Sequence, residues 1–215
     1  MITRRFAYPL SAVLLGFAPA LAQDNSLMQA IYADQAMQQH VIEAAKHAPV
    51  VVNNPCPSAH FTVTGKAIVF VLPERDSAGS IRKGAWKEEV RQEGCGQDRI
   101  LNVLGVVQGP GTLGTVPLLP GNTRGDPQLQ KDAVQYAMIA AGASGKDCAQ
   151  GYVENTEFTD QGDKPVAGGK GPPWRELWTV IACGRKAQVT MRFIPDATGT
   201  TIGAERRIAP AEPSK

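Results

Sequence analysis

The chain has 215 residues, 43% of them hydrophobic, and a formal net charge of +2. This length and apolar content are sufficient for the core of one domain or of two small related domains. Because the charge is nearly balanced, no general electrostatic field would attract nucleic acid or an anionic membrane, and we expect neither as a partner.

The first 22 residues have the features of a secretory signal peptide. Arg4 and Arg5 precede an apolar run over residues 6–17, and small residues follow up to Ala22. The run is too short to cross a bilayer as a helix. We predict cleavage after Ala22, which places the mature protein in the periplasm or outside the cell and, with both arginines lost, brings its net charge to zero. The first residue of the mature protein would then be Gln23, and because it is not Cys we predict no lipid anchor. The later sequence has no apolar stretch long enough to cross a bilayer, so we predict no membrane-embedded segment.

A helix is predicted near the start of each half of the remaining chain. In the first half, one of residues 24–26 can cap an apolar periodic run that ends at Pro49. In the second half, Asp126 supplies the cap, Pro127 fits the first helical position and Gly142 ends the helix.

Each half then carries one copy of a motif. The sequences WKEEVRQEGCG and WRELWTVIACG begin at Trp86 and Trp174, and both read Trp, a basic residue and Glu, with Cys-Gly nine positions after the Trp. Strands are predicted at residues 67–72, 174–182 and 187–194, where the sequence is β-branched or alternates, and the Cys-Gly pairs would lie in turns between strands.

Four cysteines are expected to form two disulfides. An even number of cysteines is typical of a chain that enters an oxidising compartment, but four cysteines allow three pairings and their count does not select one. The repeated order favours Cys56 with Cys95 and Cys148 with Cys183, because the halves differ in length between the first Cys and the Trp, where loop insertions cost little.

These features predict an α+β fold built as a tandem duplication of a helix plus about three antiparallel strands, with one disulfide per repeat. The predicted organisation after the signal peptide is a first repeat over residues 23–107, a Gly/Pro-rich connector over 108–125, a second repeat over 126–202 and a flexible tail over 203–215.

The motif has two interpretations. Alternation along a strand places Trp174, Glu176 and Trp178 on one face, and Trp86 and Glu88 together in the first half. These five residues could line a binding cleft, with Trp as an apolar wall and Glu as a polar anchor. We favour the alternative, in which the tryptophans fill the core and each Glu accepts hydrogen bonds, because both copies must fold whatever the protein does.

No other pattern predicts a catalytic, metal or cofactor site. Paired carboxyl groups of Glu88 and Glu176 could act as in glycoside hydrolysis, and they are the catalytic residues of the alternative only. His40 and His47 are too few for a zinc site, and the G-x-G-x-x-G string at 109–114 is followed by prolines that oppose the helix a dinucleotide site requires.

The second copy of the motif resembles the W-x-E-x-W-x-V-x-x-C-G pattern of uncharacterised small exported proteins of Gram-negative bacteria. The resemblance supplies no catalytic residues. The first copy departs from the pattern, because at the positions of Trp178, Val180 and Phe193 it has Val90, Gln92 and Gly105. It is therefore expected to have a thinner core.

The sequence thus predicts an exported, disulfide-stabilised binding or interaction protein of the bacterial cell envelope, whose partner is an envelope protein or a small ligand. The alternative is a periplasmic hydrolase of sugar or cell-wall material that uses the paired glutamates. Nothing in the sequence specifies the oligomeric state.

Overall fold

The computed structural model describes residue 31 and residues 34–109, 112–143, 148 and 150–207. The predicted signal peptide, the candidate caps at 24–26 and the end of the predicted tail lie outside these residues. The elements of the N-terminal half are α1 (Gln35–Lys46), α2 (Pro49–Val52), β1 (His60–Arg75), β2 (Ile81–Gly94), β3 (Gln97–Gly109) and β4 (Thr112–Pro117). Those of the C-terminal half are α3 (Pro127–Ala141), β5 (Gly151–Gln161), β6 (Trp174–Ala182), β7 (Arg185–Pro195) and β8 (Thr200–Arg206).

Both longer helices begin at an aspartate. The Asp34 carboxylate accepts hydrogen bonds from the Ala36 and Met37 amides and caps α1. Asp126 caps α3 in the same way, with Pro127 at the first helical position, and Gly142 ends the helix at a φ of 87°. The predicted start and end of the second helix are therefore confirmed. In the described residues, no helix has both the length and the apolar character needed to cross a bilayer.

The strands form two four-stranded antiparallel sheets, in the orders β1-β2-β3-β4 and β5-β6-β7-β8. An α+β fold is thus confirmed, but each sheet has one strand more than the three expected. The additional strands are β4, which lies inside the predicted connector, and β8, which extends into the predicted tail. They form because Leu113 of β4, and Ile202 and Ala204 of β8, pack against the cores of their halves.

The Cys-Gly pairs form the tips of two matching hairpins. Both loops have two residues, with φ of 50° at Cys95 and 71° at Gly96, and 49° at Cys183 and 74° at Gly184. Positive φ at both positions is the type I′ geometry that fits the twist of a two-stranded hairpin. A non-glycine residue rarely adopts this conformation, so each cysteine is held in an unusual backbone position.

Each half contains one disulfide. Cys56 is bonded to Cys95, 39 residues later, and Cys148 to Cys183, 35 residues later. The predicted pairing within halves is confirmed. Each disulfide links the segment that precedes the first strand of the sheet to the tip of a hairpin.

A segment of the connector, residues 118–122, lies between the two sheets. On one side the Leu118 and Gly121 amides donate to carbonyl groups of β3, and on the other the Asn122 amide donates to Thr156 of β5. The Thr156 amide in turn donates to the Pro120 carbonyl group. The connector therefore hydrogen-bonds to both halves and fixes one against the other.

One buried side chain in the N-terminal half lacks hydrogen bonds. Gln92 of β2 is 0% exposed, and among the described residues neither its Nε2 nor its Oε1 has a partner. An unpaired buried polar group costs about 1 to 3 kcal/mol. By contrast, the equally enclosed Gln130 of α3 accepts from the Leu119 amide and donates to the Gly125 carbonyl group.

We predict that Gln92→Met raises the free energy of unfolding by about 1 to 2 kcal/mol, because methionine has a similar shape and no unpaired amide. Urea unfolding of the purified protein measures the change. The matched control is Gln130→Met, which removes two made hydrogen bonds and is expected to destabilise the protein. A loss of stability in both variants would show that the Gln92 amide is paired in solution.

Candidate functional site

The motif residues lie on the helix-facing side of β2 and β6. Trp86, Glu176 and Trp178 are 0% exposed and Glu88 is 2% exposed, while Trp174 is half-buried. Alternation along the strands correctly predicted which of them share a face. Because that face is covered by a helix in each half, Trp86, Glu88, Glu176 and Trp178 lie in the cores, whereas Trp174 lines a small surface pocket of about 130 Å³.

The Glu176 carboxylate accepts four hydrogen bonds. Its Oε2 accepts from the indole N–H of Trp178 at 2.7 Å, and its Oε1 accepts from the indole N–H of Trp174 at 2.9 Å. Oε1 also accepts from the Thr123 hydroxyl at 3.1 Å and from the Arg124 amide at 2.9 Å. A fully buried carboxylate is tolerated only when its oxygens are satisfied in this way.

Two of these four donors belong to the connector, so Glu176 attaches the connector to the C-terminal half. Further contacts reinforce the attachment. The Arg124 guanidinium lies 3.8 Å from the centre of the Phe158 ring and donates to Gln161. On the other side, Asn102 of β3 donates to the Leu119 and Gly121 carbonyl groups. Glu176 is thus part of the structure that holds the two halves together.

Glu88 has the equivalent place in the N-terminal half but a different environment. Its Oε1 accepts from the indole N–H of Trp86 at 2.6 Å. Burial raises the pKa of the Glu88 carboxyl group above its ordinary value of 4.5, and the Trp86 hydrogen bond opposes this only in part. The two copies of the motif therefore hold their carboxyl groups under unequal electrostatic conditions.

This difference predicts a pH dependence. A carboxyl group with a raised pKa in the folded state binds its proton more tightly there than in the unfolded chain, so its contribution to stability is complete below 4.5 and falls as the pH rises through the folded-state pKa. We expect Glu88→Gln to match the wild type in unfolding free energy near pH 4 and to exceed it at pH 7. Urea unfolding at the two pH values measures this, and equal stabilities at pH 7 would contradict it.

The substitution at Gly105 does not leave empty space around Trp86. Trp86 pairs across the sheet with Gly105, whereas Trp174 pairs with Phe193 and stacks on its ring at 4.9 Å. A Cβ on Gly105 would lie 2.9 Å from Cε2 of Trp86. The indole ring therefore occupies the space of the missing side chain, which is why Trp86 is fully buried and Trp174 is not.

We predict that Gly105→Ala lowers the free energy of unfolding by about 1 to 3 kcal/mol, because the added methyl group displaces the Trp86 ring from a closely packed position. Gly109→Ala on the same strand is the control, since a Cβ there meets nothing within 4 Å. Thermal melting of both variants tests the effect. Equal melting temperatures would mean that the ring moves without cost.

The buried environment of the carboxyl groups bears on the hydrolase alternative. Each carboxyl group is enclosed in the core of its own half and accepts a hydrogen bond from an indole N–H. Glycoside hydrolysis requires two carboxyl groups that flank a substrate bound from solution. The geometry therefore favours structural roles for Glu88 and Glu176.

An open groove of about 1010 Å³ is lined by residues from both halves. It is lined by β1, β2 and β3 of one half, by the connector, and by β5 and β7 of the other. Its basic residues are Lys66, Arg91, Arg99 and Lys186, and its acidic residues are Glu89, Asp98, Glu154 and Glu157. The four basic residues and the four acidic residues thus balance in number.

Several of these charges form ion pairs between different strands of one sheet. Arg91 pairs with Asp98 at 2.5 Å and Lys186 with Glu154 at 2.6 Å. Arg91, Asp98 and Lys186 are exposed and Glu154 is partly exposed, so these pairs contribute little to stability and can exchange partners with a ligand. Among the described residues, no group of three His, Cys, Asp or Glu side chains could hold a metal ion.

Sequence reasoning missed this groove. Glu89 and Arg91 do alternate with the buried motif residues of β2, which was a signal for a solvated face. The contribution of β5 could not be anticipated, because the groove exists only where the connector joins the two sheets.

Comparison with known proteins gives no match: no family model, no curated protein and no solved structure is significantly similar to the chain. The described residues define an α+β protein with two disulfide-stabilised antiparallel sheets and a polar groove between them.

Proposed function

We propose that the chain is an exported, disulfide-stabilised binding or interaction protein of the bacterial cell envelope, and that it binds its partner in the groove between the halves. The observation that carries the proposal is the groove itself, which takes its lining from both halves and from the connector. A surface assembled in this way is preorganised, because the connector hydrogen-bonds on both sides.

The location in the envelope is supported by two features. Two disulfides formed within the halves are typical of proteins from an oxidising compartment such as the periplasm. The first 22 residues have the order of a cleaved signal peptide. The resemblance of the second motif to small exported proteins of Gram-negative bacteria agrees with both.

We further propose that the two halves arose by tandem duplication. Each half has a capped helix, then four antiparallel strands in sequential order, a buried Trp-x-Glu on the second strand and a Cys-Gly hairpin tip joined to an earlier cysteine. Divergence at Gly105 and at Gln92 then gave the halves different cores.

The charges of the groove indicate the chemistry of the partner. Balanced charges give no net field for a polyanion such as nucleic acid. They suit a polar surface that carries both signs of charge, as an envelope protein or a zwitterionic small ligand does, because complementary charges set register and specificity. Exposed Glu157, which has no ion pair among the described residues, is available to such a partner.

Site-specific photo-crosslinking tests the proposal. A photoreactive phenylalanine at Glu157 places the probe in the groove, and the same probe at Tyr136, which is 49% exposed on α3, serves as the control. We expect adducts in envelope extracts from the Glu157 position that an excess of unlabelled protein removes. Equal adducts from both positions, or adducts that the competitor leaves unchanged, would contradict binding in the groove.

A further inference from the structure

Strand β1 has an unusual exposed surface for an edge strand. It is 16 residues long and lies at the end of its sheet, paired on one side only, with β2. Five consecutive apolar residues of β1 are exposed: Ile68 by 52%, Val69 by 37%, Phe70 by 38%, Val71 by 37% and Leu72 by 56%. Residues 67–72 contain no charge.

Such an edge is normally protected in a monomer. Its unpaired N–H and C=O groups can hydrogen-bond with another strand, and natural proteins place charges or proline there or cover the edge. Here the first charge on the N-terminal side of the apolar stretch is Lys66, and the first on the C-terminal side is Glu74, after Pro73. Register shifts against β2 between Val69 and Val71, and between Val71 and Glu74, leave Phe70 and Leu72 without a partner on that strand. Their side chains therefore contribute to the exposed surface.

The sequence of this stretch is complementary to itself when two copies run antiparallel. If Phe70 lies opposite Phe70 of a second copy, Ile68 lies opposite Leu72 and Lys66 lies opposite Glu74. A two-fold axis through the Phe70–Phe70 pair creates the Ile68–Leu72 and Lys66–Glu74 pairs twice, as required for a closed dimer in which both copies use the same surface. An unrelated partner would not need the opposite charges to be placed symmetrically about the apolar centre.

The two charged residues are also accessible. The Lys66 side chain is 77% exposed, and its nearest acid, Glu89, is 3.8 Å away. Glu74 is 40% exposed and lies beside Arg82 and Lys83 at 2.9 and 3.0 Å. Glu74 is thus already paired with two basic residues, so exchanging it for lysine places three positive charges opposite Lys66 of the second copy and gives an easily detected repulsion.

We propose that a second copy of this chain pairs antiparallel with β1, centred on Phe70, and that the two four-stranded sheets join into one sheet of eight strands across a two-fold axis. The pairing satisfies the edge hydrogen-bonding groups and covers the apolar residues of both copies. Lys66 also lines the groove, so the pairing lies beside the groove at β1, and the dimer presents one groove on each copy. The inference does not depend on the proposed function.

Sedimentation velocity of the purified protein over a range of concentrations tests the assembly. We expect a dimer whose dissociation constant rises at least about tenfold in Phe70→Lys, because two lysines would then face each other at the axis. Val116→Lys is the matched control, since Val116 is 53% exposed on the edge strand β4 at the other end of the same sheet. It is expected to leave the dissociation constant unchanged.

A charge-exchange experiment tests the register and is independent of whether Phe70→Lys folds. Glu74→Lys should dimerise more weakly than the wild type, because the introduced lysine, Arg82 and Lys83 then all face Lys66 of the other copy. Mixed in equal amounts with Lys66→Glu, it should form a heterodimer about threefold to tenfold tighter than its own homodimer, because both cross-copy pairs are again of opposite charge.

Three results would overturn the proposal. The first is a monomer at all concentrations, which would assign the apolar surface to another segment such as residues 23–30. The second is a dimer that Val116→Lys disrupts and Phe70→Lys does not. The third is the absence of any preference for the heterodimer in the mixture, which would exclude this register.

Discussion

Replacing Glu176 with glutamine is expected to lower the free energy of unfolding by about 2 to 4 kcal/mol. The carboxylate accepts hydrogen bonds on both oxygens, from Trp178 on Oε2 and from three donors on Oε1. Glutamine has one acceptor and one donor group, so its amide nitrogen must face at least one buried N–H group. That donor loses its partner, and the remaining hydrogen bonds lose the contribution of the negative charge.

Urea unfolding at pH 7 measures this change, and Glu88→Gln provides the matched control. The two substitutions are chemically identical and fall at equivalent positions of the two motifs. We expect opposite signs, with Glu176→Gln destabilising and Glu88→Gln stabilising, because Glu88 is buried with a raised pKa. Equal losses of stability in both variants would show that the two carboxyl groups have the same role.

The disulfides are expected to give the second large effect. Removing either one by replacing both of its cysteines with alanine should lower the free energy of unfolding by about 3 to 4 kcal/mol, since the closed loops span 39 and 35 residues. The double removal should cost about the sum, because the bonds lie in different halves and share no partner.

Unfolding with and without a reducing agent checks this prediction. The wild type should lose stability on reduction, and the variant lacking all four cysteines should be insensitive to it. An unchanged midpoint of the wild type under full reduction would show that packing alone determines the stability of both halves. A large effect from only one bond would show that the halves differ in their need for cross-linking.

Local signals allowed much of the fold to be predicted. The start and the end of a helix are each encoded by a few local residues, as at Asp126 and Gly142. A Cys-Gly pair between two alternating segments likewise indicates a hairpin. The matched spacing in the two halves then selected the disulfide pairing. Strands β4 and β8 were missed because each is short and forms only against a neighbour that the local sequence does not specify.

The site was harder to predict for a related reason. Alternation shows that Trp174, Glu176 and Trp178 share a face, but it does not show whether a helix or solvent covers that face. The donors from Thr123 and Arg124 lie 53 and 52 residues from Glu176 along the chain. No short-range pattern links them, so the role of Glu176 in holding the connector emerged only from the tertiary structure.

Hydrogen exchange of the connector in Glu176→Gln tests most directly whether this carboxylate holds the two halves together and so shapes the groove. The informative amides are those of Gly121 and Thr156, which hydrogen-bond across the junction, and Val90 in the centre of β2 is the reference. We predict that Gly121 and Thr156 lose at least about tenfold more protection than Val90, since local opening no longer requires global unfolding. Equal losses at all three amides would contradict the account, because Glu176 would then stabilise only the core of its own half.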